Sequence, residues 1–271
     1  MWLDQQFRPQ LRQAGLDGFD EVMGTHKGRC LRELRIRENW YLPAAEARQK
    51  YRGLYLKKHH IRTWTSRLRA WLGIGPGHTA ARAEVQNCRC LTANGIEVMR
   101  VVAYGEKLHA NGLLESFLLT EELHGYTELR HFLRQRFPPP PDHITARDRE
   151  LDRLICQVAQ LARRFHDAGY NHRDFYCCHV LVKEQPRGQF DVRVIDLQRM
   201  QRRRWFRLRW LVKDLAQLAW SLPRDRIRCT HKLAFMRHYL GVKKLRSSHK
   251  WLIRLVLLKQ RLMEWKLGIE P

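Results

Sequence analysis

His172, Arg173 and Asp174 follow a helical stretch and its terminating Gly169, and Asp196 closes the apolar run Val192-Arg193-Val194-Ile195 one short hairpin later. Two carboxylates in that order suit phosphoryl transfer from a nucleotide. In that reaction the protein mainly positions the acceptor hydroxyl, holds metal on the phosphates and neutralises developing charge. Asp174, on a loop after a long helix, is placed to orient the hydroxyl and take its proton. Asp196, at the end of a strand, is placed to hold the metal. A His-Arg-Asp triplet alone also occurs as an exposed charged turn. The order helix, glycine, triplet, hairpin and second aspartate is what selects the chemistry.

Such a site also needs a lysine for the nucleotide's phosphates and a helical glutamate to hold that lysine. Lys57 lies in the alternating run Gly53 to His59, and Glu84 lies in the middle of a helical stretch. Lys57 and Lys58 point to opposite faces of their strand, so spacing alone leaves the choice between them open. The turn from Gly24 to Gly28 could cover phosphates, but it lacks the full glycine-rich spacing and equally fits an ordinary hairpin.

The elements that must position these groups change character along the chain. Residues 3 to 14 form a short helix with Phe7 and Leu11 on one face and Gly15 as its stop. Val22 to Gly28 is a turn between two strands, the second running from Cys30 to Arg37. Residues 38 to 51 read as a loop or short helix, and Gly53 to His59 as a half-buried strand. A basic, Trp-containing segment from Ile61 to Leu72 precedes a helix over 79 to 92 capped by Thr79. Strands follow at Ile96 to Tyr104 and Ser116 to Thr120. The tetraproline Pro138 to Pro141 marks a rigid connection. Beyond it, Leu151, Leu154, Ile155, Val158, Leu161, Ala162 and Phe165 recur at helical spacing. Two apolar runs flank the Pro186-Arg187-Gly188 turn, and 213 to 221 and most of 228 to 266 are helical. The expected class is α+β: an extension over 1 to 18, a small antiparallel-sheet lobe over 19 to 123 and a helical lobe over 124 to 271.

Composition fits a soluble globular protein, with 44% hydrophobic and 29% charged residues. The 51 Lys+Arg against 27 Asp+Glu give a net charge of +24, which favours anionic partners without choosing among nucleic acid, acidic lipid and a polyanionic small substrate. Seven scattered cysteines and no basic-then-apolar segment after Met1 suit a reducing cytoplasm, with neither a disulfide framework nor structural zinc expected. The longest apolar stretch, Trp251 to Leu258, is broken by Arg254 and falls short of the ~20 residues of a membrane span.

Several segments together resemble the lipopolysaccharide core kinases, the bacterial heptose and Kdo kinases of protein-kinase-like fold. These are Leu56-Lys57-Lys58-His59, Val102 to Glu106, Thr120 to Leu123, Ala168 to His179, Val194 to Leu197 and Lys213 to Ala216. The resemblance covers about residues 19 to 221. It implies an ATP-dependent kinase of a sugar hydroxyl in the lipopolysaccharide inner core, heptose first and Kdo second. By that likeness Lys57 binds phosphate, Glu84 partners it, and Glu121, Glu122 and Leu123 form the hinge at adenine, with Gly24 and Gly28 as the candidate covering loop. Asp174, with His172 and Arg173, is the catalytic triplet. Asp196 holds magnesium, or else manganese. His179 stands where protein kinases have an Asn metal ligand, and either binds the metal or orients Asp174. Tyr176 replaces their catalytic-loop lysine, and Leu197-Gln198 replaces their Phe-Gly.

Seven basic residues lie between Arg199 and Lys213, interleaved with Trp205, Phe206 and Trp210. Arg199, Arg202, Arg203, Arg204 and Trp205 are the expected acceptor-binding residues, since arginine forks match carboxylate and phosphate. Ile61, Trp64, Leu68, Trp71 and Leu72 share a helical face beside Arg62, Arg67 and Arg69, a pattern suited either to an anionic bilayer surface or to packing on the small lobe. The basic tail from Arg224 to Lys266 could dock an acidic protein. The expectation is therefore a monomer on the cytoplasmic face of the inner membrane, with a lipid A-linked glycolipid acceptor and no nucleic acid. Two rivals stand beside it: a protein kinase, and a catalytically silent basic binding module of the same fold.

Overall fold

The computed structural model describes residues 1–44, 52–137, 146–203 and 205–268, with the side chains of 146–148 excepted. The tetraproline connection, Arg204 and residues 45–51 of the expected 38–51 loop lie outside the described residues. The chain divides into two units. One comprises Met1–Cys90 and Met99–His124, the other Leu91–Val98 and Gly125–Pro271.

The first unit is built on a six-stranded antiparallel sheet. Its strands are β1 (Trp2–Leu3), β2 (Arg29–Leu34), β3 (Arg37–Leu42), β4 (Leu54–Arg62), β5 (Val101–Leu108) and β6 (Leu113–Glu121), in the order β1-β5-β6-β4-β3-β2. Helices α1 (Arg8–Ala14), α2 (Phe19–Gly24) and α3 (Trp64–Trp71) join it, as does most of α4 (Ala80–Ala93). Strand β6 lies inside the sheet, and its residues from Leu114 to Thr120 are nearly all buried. The edge strand β2 is exposed along its whole length. On β4, alternation sends Leu54, Leu56 and Lys58 into the core formed with Phe7, Leu11, Val22, Trp40 and Phe117, and turns Lys57 to the other face. Ala81, Val85 and Leu118 pack together apart from that core.

Four sequence expectations differ from this unit. The residues before the Gly24 turn form helix α2 instead of a strand, because Val22 and Met23 are adjacent and both buried, which period-two alternation does not allow. Residues 38–42 of the supposed 38–51 loop region belong to strand β3, with Trp40 and Leu42 on its buried face. Residues 1–18, expected as an extension, supply a strand and the core side chains Phe7, Leu11 and Leu16. The strand placed at 96–104 begins at Val101. Val98 instead forms a parallel bridge to Val194 in the second unit, where Glu97 also pairs with Arg193 at 2.6 Å.

The second unit is mainly helical. It contains α5 (Leu129–Arg136), which the sequence reading missed, together with α6 (Ala146–Asp167), α7 (Arg207–Ser221), α8 (Cys229–Leu240) and α9 (Ser247–Leu267). Strands β9 (Val180–Gln185) and β10 (Gln189–Val194) form the expected hairpin, extended by β7 (Thr127–Glu128). Strand β8 (Tyr170–Asn171) pairs with β11 (Gln201–Arg202). Leu151, Leu154, Val158, Leu161 and Phe165 on α6 are all buried. Each such side chain contributes roughly 1.5–3 kcal/mol. Helix α6 packs on α8 and α7 on α9. An apolar cavity of about 230 Å³ lies among Leu154, Val158, Leu215, Phe235 and Val256. No helix among the described residues is long and apolar enough to cross a membrane.

Candidate active site

In the first unit the structure pairs Lys57 with Glu84: Nζ donates to Oε1 at 2.8 Å and to Oε2 at 3.0 Å. The lysine is 17% exposed and the glutamate 1%. A buried ion pair is a poor source of stability, because desolvation offsets most of the attraction. Its presence therefore points to function. Cys88, one turn beyond Glu84, has its thiol pushed up to about 12 by burial, with the charge of Glu84 adding to the effect. Lys58 is spent elsewhere. Its Nζ donates to the Thr25 carbonyl at 2.6 Å, lies 3.4 Å from Glu38 and sits over the Trp40 ring.

The expected hinge residues are the last of β6, Glu121, and the two that follow it. The Glu121 and Glu122 amides already donate to the carbonyls of Arg100 and Gly53. The Glu122 carboxylate accepts from the Tyr41 hydroxyl at 2.9 Å, and Arg52 lies 3.3 Å from Glu121. Burial first, and then the Glu122 hydrogen bond, raise the Tyr41 hydroxyl above its ordinary value. Leu123 is half-buried beside them. Gly24 and Gly28 are not brought to a hairpin turn, since the segment between them links α2 to β2. Gly28 has φ +93°, and a Cβ there would meet the Tyr41 carbonyl oxygen at 2.3 Å, so close packing explains that glycine. The hairpin in this region turns at Arg35-Ile36, between β2 and β3.

In the second unit the His-Arg-Asp loop is fixed from below by a residue the sequence reading assigned no role. Asp214, fully buried on α7, accepts the His172 amide at 2.8 Å, the Arg173 amide at 2.9 Å and His166 Nε2 at 3.3 Å. Lys213 Nζ donates to the Arg173 carbonyl. These bonds hold Arg173 at φ +72°, a conformation disfavoured for a side chain with a Cβ. The sequence signal was available. Asp214 is a lone carboxylate in the otherwise apolar-rich run Trp210 to Trp220, where only a paired charge can be buried.

Above that anchor the expected residues converge. His172 is buried and donates from Nε2 to the Ile195 carbonyl at 3.0 Å, tying the loop to the residue before Asp196. Burial lowers its pKa and keeps the ring neutral. The His179 ring stacks on it, with centroids 5.9 Å apart and planes at 12°. His179 Nδ1 lies 2.7 Å from the Asp174 carbonyl, which can only accept, so Nδ1 carries a proton and in the neutral ring Nε2 is the nitrogen left with a lone pair. That Nε2 is 3.8 Å from Asp196 Oδ2, with Asp196 in the left-handed region at φ +58°.

His179 and Asp196 thus offer one nitrogen and one carboxylate oxygen toward the same point, a donor pair that fits a divalent cation. No cluster of three or more His, Cys, Asp or Glu suited to metal occurs among the described residues. Further ligands would be phosphate oxygens and water, the usual partners of magnesium in nucleotide sites.

Arg199 reaches the catalytic candidate directly, with Nη1 at 2.9 Å from both Asp174 oxygens. The rest of the expected acceptor set is not gathered there. Arg202 lies over Tyr170 at 5.9 Å, Arg203 over Trp210 at 5.1 Å, and Trp205 is 81% exposed. Tyr176 is half-buried and hydrogen-bonded to Gln217; burial above all raises its pKa.

The chain has relatives among known proteins. The chain matches the lipopolysaccharide kinase (Kdo/WaaP) family over residues 21–239. The lipopolysaccharide core heptose(I) kinase WaaP of Pseudomonas aeruginosa is 34% identical over 231 residues, covering 83% of this chain and 81% of that protein. The protein of the same name from Escherichia coli strain K12 is 29% identical over 250 residues, covering 90% of each. A solved structure, WaaP in complex with acyl carrier protein, superposes with a TM-score of 0.71 at 31% identity, covering 97% of this chain and 98% of that one. This chain, with its protein-kinase-like α+β fold, belongs to the lipopolysaccharide kinase (Kdo/WaaP) family.

Proposed function

We propose that this protein transfers the γ-phosphate of ATP to a heptose hydroxyl of the lipopolysaccharide inner core. The observation that carries the reading is the Asp174 carboxylate, held on a loop pinned by Asp214 and joined through His179 to Asp196. Asp174 orients the sugar hydroxyl and accepts its proton as the new O–P bond forms and the bond from Pγ to the bridging oxygen breaks, releasing ADP. Lys57, steadied by Glu84, contacts the phosphates, and the backbone at Glu121 to Leu123 meets adenine. Asp196 and His179 would hold magnesium or manganese. A divalent cation bound there would neutralise charge on the β- and γ-phosphates.

The test incubates the protein with labelled ATP, magnesium or manganese and core-bearing lipid A, with mass spectrometry of the product. Absence of transfer to the sugar, or equal labelling of Ser, Thr or Tyr in peptides, would overturn the reading. Lys57→Ala should reduce kcat/KM by about 10²-fold or more, and should abolish the rise in melting temperature that ATP with metal gives the native protein. Lys58→Met should leave the ATP response in place, because Lys58 is tied to Thr25 and Glu38.

Helix α3 supports a position at an anionic bilayer surface. Its capping box at Thr63 and the Ser66 hydroxyl bond to the Gly112 carbonyl fasten one side to the sheet unit. The other side leaves Trp64 75% and Trp71 81% exposed, with Leu68 and Leu72 beside them. At 100° per residue these four span one arc flanked by Arg67 and Arg69. Trp64→Ser/Trp71→Ser is expected to lower partitioning onto phosphatidylglycerol vesicles by tenfold or more in a flotation assay, with phosphorylation of delipidated core oligosaccharide retained. Unchanged partitioning would exclude α3 as the contact.

The charge of +24 also suits an acidic protein partner. The relative solved with acyl carrier protein makes a carrier of that kind the first choice. The apolar cavity beneath α8 and α9 has the lining an alkyl chain requires.

A further inference from the structure

Four cations surround one indole ring in the second unit. Around Trp210 stand Arg203 at 5.1 Å, Arg173 at 5.3 Å, Arg209 at 5.6 Å and Lys213 at 5.8 Å from the ring centroid. An aromatic face attracts a cation, but one ring cannot offset the mutual repulsion of four. The two carboxylates that act on Lys213 have other partners: Asp174 is engaged by Arg199, and Asp214 by the His172 and Arg173 amides. Among the described residues no carboxylate forms an ion pair with any of the four cations.

One further observation marks the cluster as under-neutralised. The Nε atoms of Arg173 and Arg203 are buried without a hydrogen-bond partner, which carries an energetic penalty unless a ligand completes the site. The Lys213 ammonium is lowered from its ordinary value by burial, which Asp174 and Asp214 oppose and to which Arg199 and Arg173 add a smaller part.

The cluster is also fixed in place beside the catalytic loop. Arg173 immediately precedes Asp174, and Lys213 Nζ bonds the Arg173 carbonyl. An anion held by these cations would therefore lie beside the molecule whose hydroxyl is at Asp174.

We propose that Arg173, Arg203, Arg209 and Lys213, arranged around Trp210, form an anion subsite that takes a carboxylate or phosphate carried by the acceptor beside the hydroxyl to be phosphorylated. The proposal rests on the sugar-kinase reading above and deepens it by naming a chemical requirement of the acceptor. Guanidinium forks suit either anion, and a neutral acceptor leaves the four charges uncompensated, so the subsite selects against neutral sugars.

Steady-state kinetics of the full chain with three acceptors test it: intact core oligosaccharide, the same material with its sugar-acid carboxyls reduced to alcohols, and the same material dephosphorylated. For Arg203→Gln/Arg209→Gln the expected result on intact acceptor is a rise of tenfold or more in acceptor KM, with the KM for ATP within twofold of native. Whichever modified acceptor shows no difference between native and variant identifies the anion that the subsite reads. Inorganic phosphate should raise the melting temperature of the native protein more than that of the variant. If the double variant does not fold, Arg209→Gln alone, at an exposed side chain, carries the same comparison with an expected threefold rise.

An unchanged acceptor KM, an equal rise with all three acceptors, or a rise in KM for ATP instead would overturn the subsite. Failure of the native protein to phosphorylate any core acceptor would overturn the sugar-kinase reading itself.

Discussion

Asp174→Asn is expected to lower kcat by about 10³-fold while leaving the fold and ATP binding intact, the loss typical of a removed general base. The asparagine keeps the shape of the side chain and one oxygen for Arg199, which lies 2.9 Å from both carboxylate oxygens in the native chain. The loop beneath it is held through backbone atoms of residues 172 and 173, which the substitution does not touch. What disappears is the ability to accept the hydroxyl proton. Stopped-time assays with labelled ATP measure the loss, and thermal shift with ATP and metal should show at least nine-tenths of the native stabilisation. Asp196→Asn should give the opposite pattern, with the metal-dependent part of that stabilisation gone. Residual turnover of Asp174→Asn within tenfold of native would remove Asp174 from the chemistry.

The placement of the candidate site was legible in the sequence because its residues lie on short, ordered segments whose type is set locally. The α6 periodicity, Gly169 and the β9–β10 hairpin place Asp174 and Asp196 at the two ends of one compact stretch. Strand alternation likewise determined that only one of Lys57 and Lys58 could face Glu84, although spacing could not say which. The acceptor side was less legible. Runs of arginine in sequence carry no information on which guanidinium stacks on which ring, and the structure splits the run between Asp174, Tyr170 and Trp210. The first unit was misread where burial depends on long-range partners. Residues 1–18 look like an extension until β1 pairs with β5, and Val22-Met23 reads as the start of a turn between strands until both side chains enter one core from helix α2.

Asp214 sits in the Lys213 to Ala216 segment of the resemblance, but its role was not legible there because its partners are backbone amides some 40 positions away. Its removal should be the most destabilising single change in the second unit. The carboxylate accepts two backbone N–H groups and approaches His166, whose Nδ1 lies 2.9 Å from the Tyr239 hydroxyl. Asp214→Ala leaves the two amides without an acceptor in a fully buried place, at about 1–3 kcal/mol for each unsatisfied group. Arg173, at φ +72°, then has nothing to hold it in that conformation. A loss of about 3–5 kcal/mol is expected, in line with breaking other buried charged networks. For a chain of this size that is a fall of about 10 °C in melting temperature. Asp214→Asn retains one accepting oxygen and should recover about half of the loss, whereas a surface variant such as Asp167→Asn should not move the transition. Activity of Asp214→Ala, assayed below its own melting point, should still fall by tenfold or more, because the Asp174 loop relaxes even while the chain remains folded. A melting temperature within 2 °C of native would show that the amides find other acceptors, and the loop would then owe its geometry to Lys213 and His172 instead.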